Sequence, residues 1–479
     1  MLFPTITFAI FFLVVYAVSW LLMPRLRLWK AMIIVASYVF YGWWDWRFVL
    51  LLVAATVVDQ ALAVQIGRAR ARAGGGGAAR RWLVLAIAAN LAALGAFKYY
   101  DFFAVSLDRA FTTLGLGASL PLLQIALPVG ISFLVFRMLS YLIDIYRGKL
   151  APAPPLDFAV FVAFFPYLLA GPIARAADFL PQLIAPRDPR SVDAARAFTL
   201  ILGGLAKKTL IADYLATHIV NGVFSSPQSY SSWEVLWGIL AYSVQIYCDF
   251  SAYSDIAIGV SLLLGFRLPD NFNAPYTART IQDFWRRWHI TLSSWLRDYL
   301  YIPLGGNRKG SARTYLNIII TFLLAGLWHG AGWTFVFWGG LHGVGLSVER
   351  ARATARQARG LPEPGRTPRS RALQRLAVFS FVSLAWVFFR ADSIGGALAV
   401  LWRLPAGLGS LGSAVTWPII GLVTLGIAIQ YIPPRLMERF EAGMVRVGWV
   451  GQGAVPAGAL FLIDALGPQG AAEFLYFSF

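Results

Sequence analysis

Two strongly apolar segments meet at a histidine in the second half of the chain. Residues 315–348 read YLNIIITFLLAGLWHGAGWTFVFWGGLHGVGLSV and contain no Asp, Glu, Lys or Arg. A helix that crosses a bilayer consists mostly of apolar residues, so we expect one span over Tyr315–Trp328 and another over Trp333–Val348. His329 lies between them in a glycine-rich stretch, where a helix unwinds easily.

The rest of the chain has the same apolar character. Of its 479 residues, 58% are hydrophobic and only 13% are charged, which is about half the charged fraction of a soluble protein. The composition therefore predicts an all-α, polytopic transmembrane protein that forms a single domain over residues 1–479. Phe158–Ala170 is short and flanked by proline, and we interpret it as a re-entrant or interfacial helix. Twelve candidate spans have suitable composition: Pro4–Met23, Ala31–Trp46, Phe48–Ile66, Trp82–Tyr99, Pro121–Ile145, Phe198–Val220, Trp233–Leu264, Tyr315–Trp328, Trp333–Val348, Leu376–Phe389, Trp417–Tyr431 and Trp449–Leu466.

The net charge of +18 would suit a nucleic-acid partner, but its distribution argues against one. With a periplasmic N-terminus, the cytoplasmic connections hold 33 of the 41 Lys and Arg residues and the periplasmic connections hold four. Such an excess of cytoplasmic basic residues is typical of bacterial membrane proteins. We therefore predict a multi-pass protein of the bacterial inner membrane, with both termini periplasmic, the lipid bilayer around it and no nucleic-acid partner.

His329 is the first candidate site residue. An ionisable side chain at a helix break within the membrane is a functional-site hypothesis, and a neutral imidazole accepts protons near pH 7. A hydrogen-bonded core histidine fits the same pattern. His342 lies on a segment without such a break, and we interpret it as a core residue.

Residues 276–302 are predicted to form one amphipathic helix at the cytoplasmic interface. The pattern Thr280-Ile-Gln-Asp283 is typical of a helix N-terminus. Aromatic residues recur after it at helical spacing, and His289 and Arg297 fall on a second face. Either this helix is only an interfacial anchor, or His289 and Arg297 line the floor of a site.

Two further polar features have two interpretations each. Asp249 and Asp255 lie in an apolar segment that we expect to bend, and they either pair with Arg286 or Arg287 or take part in the chemistry.

The turn Gly305–Gly310 is either structural or holds a pyrophosphate group between its amides and the two cations Arg308 and Lys309. The chain has one cysteine and no histidine pair at metal-ligand spacing, so no metal site is expected.

Residues 284–308, FWRRWHITLSSWLRDYLYIPLGGNR, resemble the signature of bacterial membrane-bound O-acyltransferases. Residues 247–255, 271–276 and 327–330 also match in order. The most similar branch O-acetylates exopolysaccharides such as alginate, and teichoic acid D-alanyl transferases are more distant. The resemblance implies tilted helices around a central funnel, with His329 catalytic and His289 its partner.

The resemblance also implies the substrates. Acetyl-CoA from the cytoplasm would be a co-substrate, no cofactor would be permanently bound, and acetyl would reach an exopolysaccharide directly or through a periplasmic SGNH-type acetyltransferase. Arg297, Arg308 and Lys309 are the candidate residues for binding acetyl-CoA. The sequence does not identify the acceptor polymer. An acyl-group transporter and a scaffold for a periplasmic acetyltransferase remain as alternatives.

The aromatic tail 474–479, FLYFSF, resembles a C-terminal motif of the same branch, and this resemblance makes Tyr476 a candidate acyl relay. So apolar a tail is expected to dock onto the protein, because a solvated tail would normally be polar. Docking fits a relay and fits a packing plug equally.

Overall fold

The computed structural model describes residues 1–72, 74–116, 121–123, 125–361, 364–365, 367–406, 412–446, 448–466 and 474–475. Every regular element within these ranges is a helix, which confirms the all-α prediction. The chain divides into two compact units, the first comprising residues 1–193 and 260–269 and the second residues 194–259 and 270–479. The assignment of residues 1–479 to one domain stays a prediction.

The first unit is built from eight α-helices among its described residues. A π-helical segment, Gly95–Tyr99, joins two of them, and Phe165–Tyr167, Leu180–Leu183 and Pro189–Ser191 are short 3₁₀ turns. The α-helices are α1 Ile6–Leu22, α2 Leu26–Gly42, α3 Arg47–Ala71, α4 Gly76–Leu94, α5 Tyr100–Thr113, α6 Ile131–Arg147, α7 Pro155–Ala163 and α8 Ala176–Phe179.

Helix boundaries in the first unit differ most from the predicted spans at two places. The predicted span ending at Tyr99 continues through the π segment, so that Gly76–Thr113 is one helical run of 38 residues. The span predicted from Pro121 begins only at Ile131, because Gly130 has a φ of 78° and closes the irregular stretch before it. Glycine adopts this left-handed backbone without the steric cost of a side chain.

The second unit holds the remaining α-helices of the described residues, apart from residues 260–263 at the end of the helix Ser232–Leu263, which belong to the first unit. Three π segments (Lys207–Asp213, Ala216–Val220 and Arg297–Tyr301) and three 3₁₀ turns (Pro227–Ser229, Pro275–Thr277 and Ile429–Tyr431) connect or extend them. The α-helices are α9 Ala194–Ala206, α10 Asn221–Ser225, α11 Ser232–Leu263, α12 Ile281–Arg287, α13 Ile290–Leu296, α14 Gly310–His329, α15 Trp333–Ala358, α16 Pro368–Arg390, α17 Ile394–Ala406, α18 Trp417–Ala428, α19 Pro434–Arg446 and α20 Gly448–Leu466.

Five helical runs among the described residues are long and apolar enough to cross a membrane. They become six if the bent pair Trp417–Tyr431 and Arg435–Arg446 is counted as one span. The prediction of twelve spans is therefore not confirmed, since several predicted spans form shorter helices. The orientation of the chain in the membrane also stays a prediction. The five runs are Arg47–Ala71, Gly76–Thr113, Ser232–Leu263, Gly310–His329 and Pro368–Arg390.

Helices α14 and α15 approach each other closely enough for their backbones to touch. A Cβ atom on Gly339 would lie 2.1 Å from the backbone oxygen of Phe322, and one on Gly326 would lie 2.2 Å from that of Phe335. Small residues permit this close contact between membrane helices. The two glycines therefore fix the spacing of the helix pair that carries His329.

Replacing Gly339 with alanine tests this contact. We expect Gly339→Ala to lower the unfolding temperature of the purified protein, because overpacking of this kind costs about 1–3 kcal/mol. Thermal unfolding in detergent, followed by tryptophan fluorescence, measures the effect.

Gly340→Ala is the matched control on the same helix, since its Cβ would make only an ordinary contact, 3.5 Å from the side chain of Leu323. Alanine is the better helix former by roughly 0.5–1 kcal/mol, so this variant should be at least as stable as the parent. Equal stability of the two variants would contradict the account of backbone contact.

Candidate active site

His329 is the last residue of α14. Gly330 follows in an extended conformation, and Gly332 precedes the start of α15 at Trp333. A Cβ atom on Gly330 would lie 2.1 Å from the ring of Phe335. The helix break predicted from the glycine-rich sequence is therefore present. Because Gly330 has no side chain, the backbone can pack directly against the ring of Phe335.

The His329 ring is packed among aromatic rings from three helices. Its centroid is 4.9 Å from that of Trp328 on α14, 5.1 Å from that of Trp338 on α15 and 5.3 Å from that of Phe389 on α16, all edge-to-face. Only 3% of His329 is exposed. Packing from three directions limits the movement of the imidazole and excludes bulk water from it.

His289 lies at a break between two short helices. Its φ of 42° and ψ of 56° place it in the left-handed region, which costs a residue with a side chain roughly 1–2 kcal/mol. Helix α12 ends before it, at Arg287, and α13 begins after it, at Ile290. The prediction of one continuous helix over 276–302 is therefore wrong, while its interfacial position stays a prediction.

Contacts with a preceding loop explain why the helix breaks there. The backbone oxygen of Asn271 accepts a hydrogen bond from Ile290 N at 2.9 Å, and its side-chain oxygen accepts one from Thr291 N at 3.3 Å. Arg287 O accepts a bond from Asn273 N at 2.9 Å. Backbone groups that a continuous helix would use internally are thus bonded to the loop.

The structure brings His289 and His329 together. Their ring centroids are 6.4 Å apart, with the ring planes inclined at 60°, so one small reacting group can contact both. His289 is fully buried, and this burial lowers its pKa to about 3. The ring is therefore neutral at physiological pH and can take part in hydrogen bonding as donor and acceptor.

Asp249 and Asp255 of α11 pair with lysines and not with the arginines proposed from the sequence. Lys208 Nζ lies 2.7 Å from Asp249 Oδ1 and also 2.7 Å from Asp213 Oδ1, while Lys207 pairs with Asp255. Helix α11 runs from Ser232 to Leu263 without interruption. The two lysines come from the π segment after α9, and they supply the opposite charges that buried carboxylates require.

The described part of the C-terminal tail docks on the same helix. Phe474 is buried against Tyr253 and Phe250, with ring centroids 4.5 and 5.9 Å away. Leu475 N donates to Asp249 Oδ2 at 2.9 Å. Phe250 in turn packs edge-on against His289 at 4.6 Å. The expected docking is therefore present at these two residues, next to the ring of Phe250, which contacts His289.

The three candidate residues for binding acetyl-CoA have exposed side chains. Arg297 is mostly exposed and pairs with its neighbour Asp298 at 2.7 Å. Arg308 and Lys309 are exposed in the turn that leads into α14. Tyr476, the candidate relay, lies outside the described residues. Within those residues, no group of three or more His, Cys, Asp or Glu side chains could hold a metal ion.

The family model for membrane-bound O-acyltransferases matches residues 142–389 of this chain, which include His289 and His329. The chain belongs to the membrane-bound O-acyltransferase family. It is accordingly a multi-pass membrane protein and an O-acyltransferase.

Curated relatives of this family extend the similarity beyond the matched range. The chain is 42% identical over 416 residues to the "Probable alginate O-acetylase AlgI" of Azotobacter vinelandii, covering 86% of this chain and 79% of the relative. It is 39% identical to the "Peptidoglycan O-acetyltransferase" of Helicobacter pylori, covering 78% of this chain and 73% of that relative. The "Teichoic acid D-alanyltransferase" of Streptococcus thermophilus is 30% identical, and the similarity covers 57% of this chain and 69% of that relative.

Sequence reasoning missed three residues that organise this site. Lys207 and Lys208 sit in an apolar segment, as Asp249 and Asp255 do. Charges in such segments indicate ion pairing, but the sequence does not show which lysine pairs with which carboxylate. Asn271 lies within the stretch 271–276 that matched the family, but nothing in its spacing from His289 indicates their contact.

Truncating Phe474 tests the docking of the tail. Removal of a buried phenylalanine ring costs roughly 3–5 kcal/mol, so Phe474→Ala should release the tail and speed its cleavage by added carboxypeptidase by about tenfold or more. Mass spectrometry of the intact protein follows the cleavage. Phe461→Ala is the control, since Phe461 on α20 is 72% exposed and its loss should leave the rate unchanged. Equal cleavage of the two variants would show that the tail is not docked.

Proposed function

We propose that this O-acyltransferase takes acetyl groups from cytoplasmic acetyl-CoA and transfers them, across the bacterial inner membrane, for O-acetylation of an exopolysaccharide such as alginate. The observation that carries the proposal is the pair of buried imidazoles, His329 and His289, whose centroids are 6.4 Å apart at two breaks in helical structure. Acyl transfer to a hydroxyl group requires a base in an environment from which water is excluded.

In the proposed reaction His329 acts as the general base. Its imidazole takes the proton of the attacking hydroxyl group while the oxygen forms a bond to the carbonyl carbon of the thioester. The carbon–sulfur bond then breaks, and the sulfur of CoA leaves with the proton that the imidazolium returns. A histidine base typically contributes about 10²–10⁴-fold to such a rate. His289 is its partner and contacts the same reacting group.

Positive charge supports an acetyl-CoA site on the cytoplasmic side. The exposed cations Arg297, Arg308 and Lys309 follow α13 along the chain and precede α14, the helix that ends at His329. Phosphate groups of CoA are recognised by such cations and by exposed amides. We assign these three residues to binding of the donor, without a role at the reacting atoms.

The relatives support a polysaccharide acceptor outside the cytoplasm. Alginate O-acetylases and a peptidoglycan O-acetyltransferase are named among them, and these polymers share free hydroxyl groups. Alginate is the preferred example, because the alginate relatives are at 41–43% identity. Delivery through a periplasmic SGNH-type acetyltransferase is part of the proposal. A transporter or a scaffold has no need of two adjacent buried imidazoles.

The docked tail supports a relay through Tyr476. Phe474 and Leu475 lie against α11 beside the ring of Phe250, which contacts His289, and Tyr476 follows directly in the sequence. Its phenol oxygen would accept acetyl from CoA and release it to an alkyl hydroxyl, which is the favourable direction because an aryl ester is the more reactive donor.

Replacing His329 with alanine tests the base. Transfer of acetyl from labelled acetyl-CoA should fall by about 10²-fold or more, while the amount of folded protein in the membrane remains unchanged. His218→Ala is the control, because His218 is exposed and bonds to the backbone oxygen of Tyr214. Normal acetyl transfer by His329→Ala would exclude this histidine as the base.

Replacing Tyr476 with phenylalanine separates a relay from a plug. Tyr476→Phe keeps the aromatic ring and removes only the nucleophile, so a relay predicts loss of polymer acetylation in cells. Removal of residues 474–479 abolishes both functions and serves as the reference. If Tyr476→Phe acetylates the polymer normally while the truncated protein does not, the tail is a packing plug.

A further inference from the structure

Asn271 is a buried side chain that connects α11 with the backbone around His289. It lies in the irregular stretch after α11 and is 1% exposed. Its Nδ2 donates to Ser254 Oγ on α11 at 3.0 Å. Its side-chain oxygen faces the residues that follow the helix break at His289. It accepts hydrogen bonds from Thr291 N and from Thr291 Oγ1, the latter at 2.9 Å.

These contacts determine which end of the Asn271 amide is the oxygen. A backbone N–H can only donate, so the atom that faces Thr291 N must be the acceptor Oδ1. The same oxygen lies 3.1 Å from His289 Nδ1. Because Oδ1 has no proton to give, the hydrogen bond forms only if His289 Nδ1 carries the proton. In the neutral ring the lone pair is then on Nε2.

We propose that Asn271 is a positioning residue that holds His289 as the Nδ1–H tautomer and so places the lone pair of the neutral ring on Nε2. The effect of this tautomer on catalysis rests on the proposed function. The assignment of the tautomer itself does not, because it follows from the hydrogen bonds alone. The Asn271 backbone oxygen, bonded to Ile290 N at 2.9 Å, fixes the main chain on the C-terminal side of the strained residue. One residue thereby sets both the protonation and the orientation of the imidazole.

If Asn271 had a purely structural role, it would hold the loop against α13 without determining the tautomer of His289. The variants Asn271→Leu and Asn271→Asp separate the two roles. Leucine removes the acceptor at similar volume, while aspartate keeps an acceptor oxygen at the same place. Ser254 Oγ can turn to donate to that carboxylate, since a hydroxyl group both donates and accepts.

The first readout is the ¹⁵N spectrum of histidine-labelled protein in detergent at about pH 8, where neutral tautomers are distinguished by their nitrogen shifts. The chain has four histidines, so single replacements assign every signal. His289 should be Nδ1–H in the parent and in Asn271→Asp, and should change to Nε2–H or a mixture in Asn271→Leu. Asn90→Leu is the control for loss of a buried amide, because Asn90 bonds to Asp59 in the first unit and its loss should leave the His289 signal unchanged.

The second readout is the division of the effect between kcat and KM. Loss of the correct tautomer in another enzyme lowers kcat by about 10⁴-fold, and we expect Asn271→Leu to lower kcat by about 10²–10⁴-fold with a smaller change in KM. Asn271→Asp should recover most of the loss. An Nε2–H signal for His289 in the parent protein, or an unchanged Nδ1–H signal in Asn271→Leu, overturns the proposal. Because the spectra need no activity, they decide it even if the parent protein transfers no acetyl group.

Discussion

Backbone contact between α14 and α15 is the constraint on which the site depends. Gly326 and Gly339 leave room for the facing carbonyl oxygens, and the chain turns from one helix to the other within Gly330–Gly332. His329 is the last residue before that turn. Its position therefore follows from the packing of two helices, and the rings of Trp338 and Phe389 then enclose the imidazole.

The second histidine is held in a different way. His289 occupies a left-handed conformation between two helices of seven residues each, too short to be stable alone. The loop residue Asn271 and the surrounding aromatic rings supply the missing support. A strained backbone conformation of this kind persists only where the contacts around it hold the backbone in place. The fold thus combines a rigid helix pair and a clamped loop to bring two imidazoles together.

Buried charge gives α11 a further role. Asp249 bonds both to Lys208 and to the backbone of Leu475, so the same carboxylate joins an ion pair to the C-terminal tail. Removing one member of a buried ion pair leaves an uncompensated charge, at a cost of about 3–5 kcal/mol. The tail is therefore anchored to a group whose own position is strongly fixed.

Much of this organisation could be predicted from the sequence. Apolar composition indicated a helical membrane protein, and the glycines around His329 indicated the break at which it lies. Features set by contacts between distant residues could not be predicted. The aromatic periodicity of 276–302 favoured one helix because period alone carries no information about the bonds from Asn271. Likewise, the pairing of Lys208 with Asp249 joins residues 41 positions apart, counted from 208 to 249.

The most direct test of the central claim uses the purified chain alone. Acetyl-CoA labelled in the acetyl group is added together with non-acetylated alginate, and the release of the CoA thiol is followed along with the label that becomes covalently bound. An O-acyltransferase with its own catalytic histidines predicts that thiol is released in step with label bound to the polymer or to the chain. Intact acetyl-CoA, with no label bound either to the polymer or to the chain, would contradict the account.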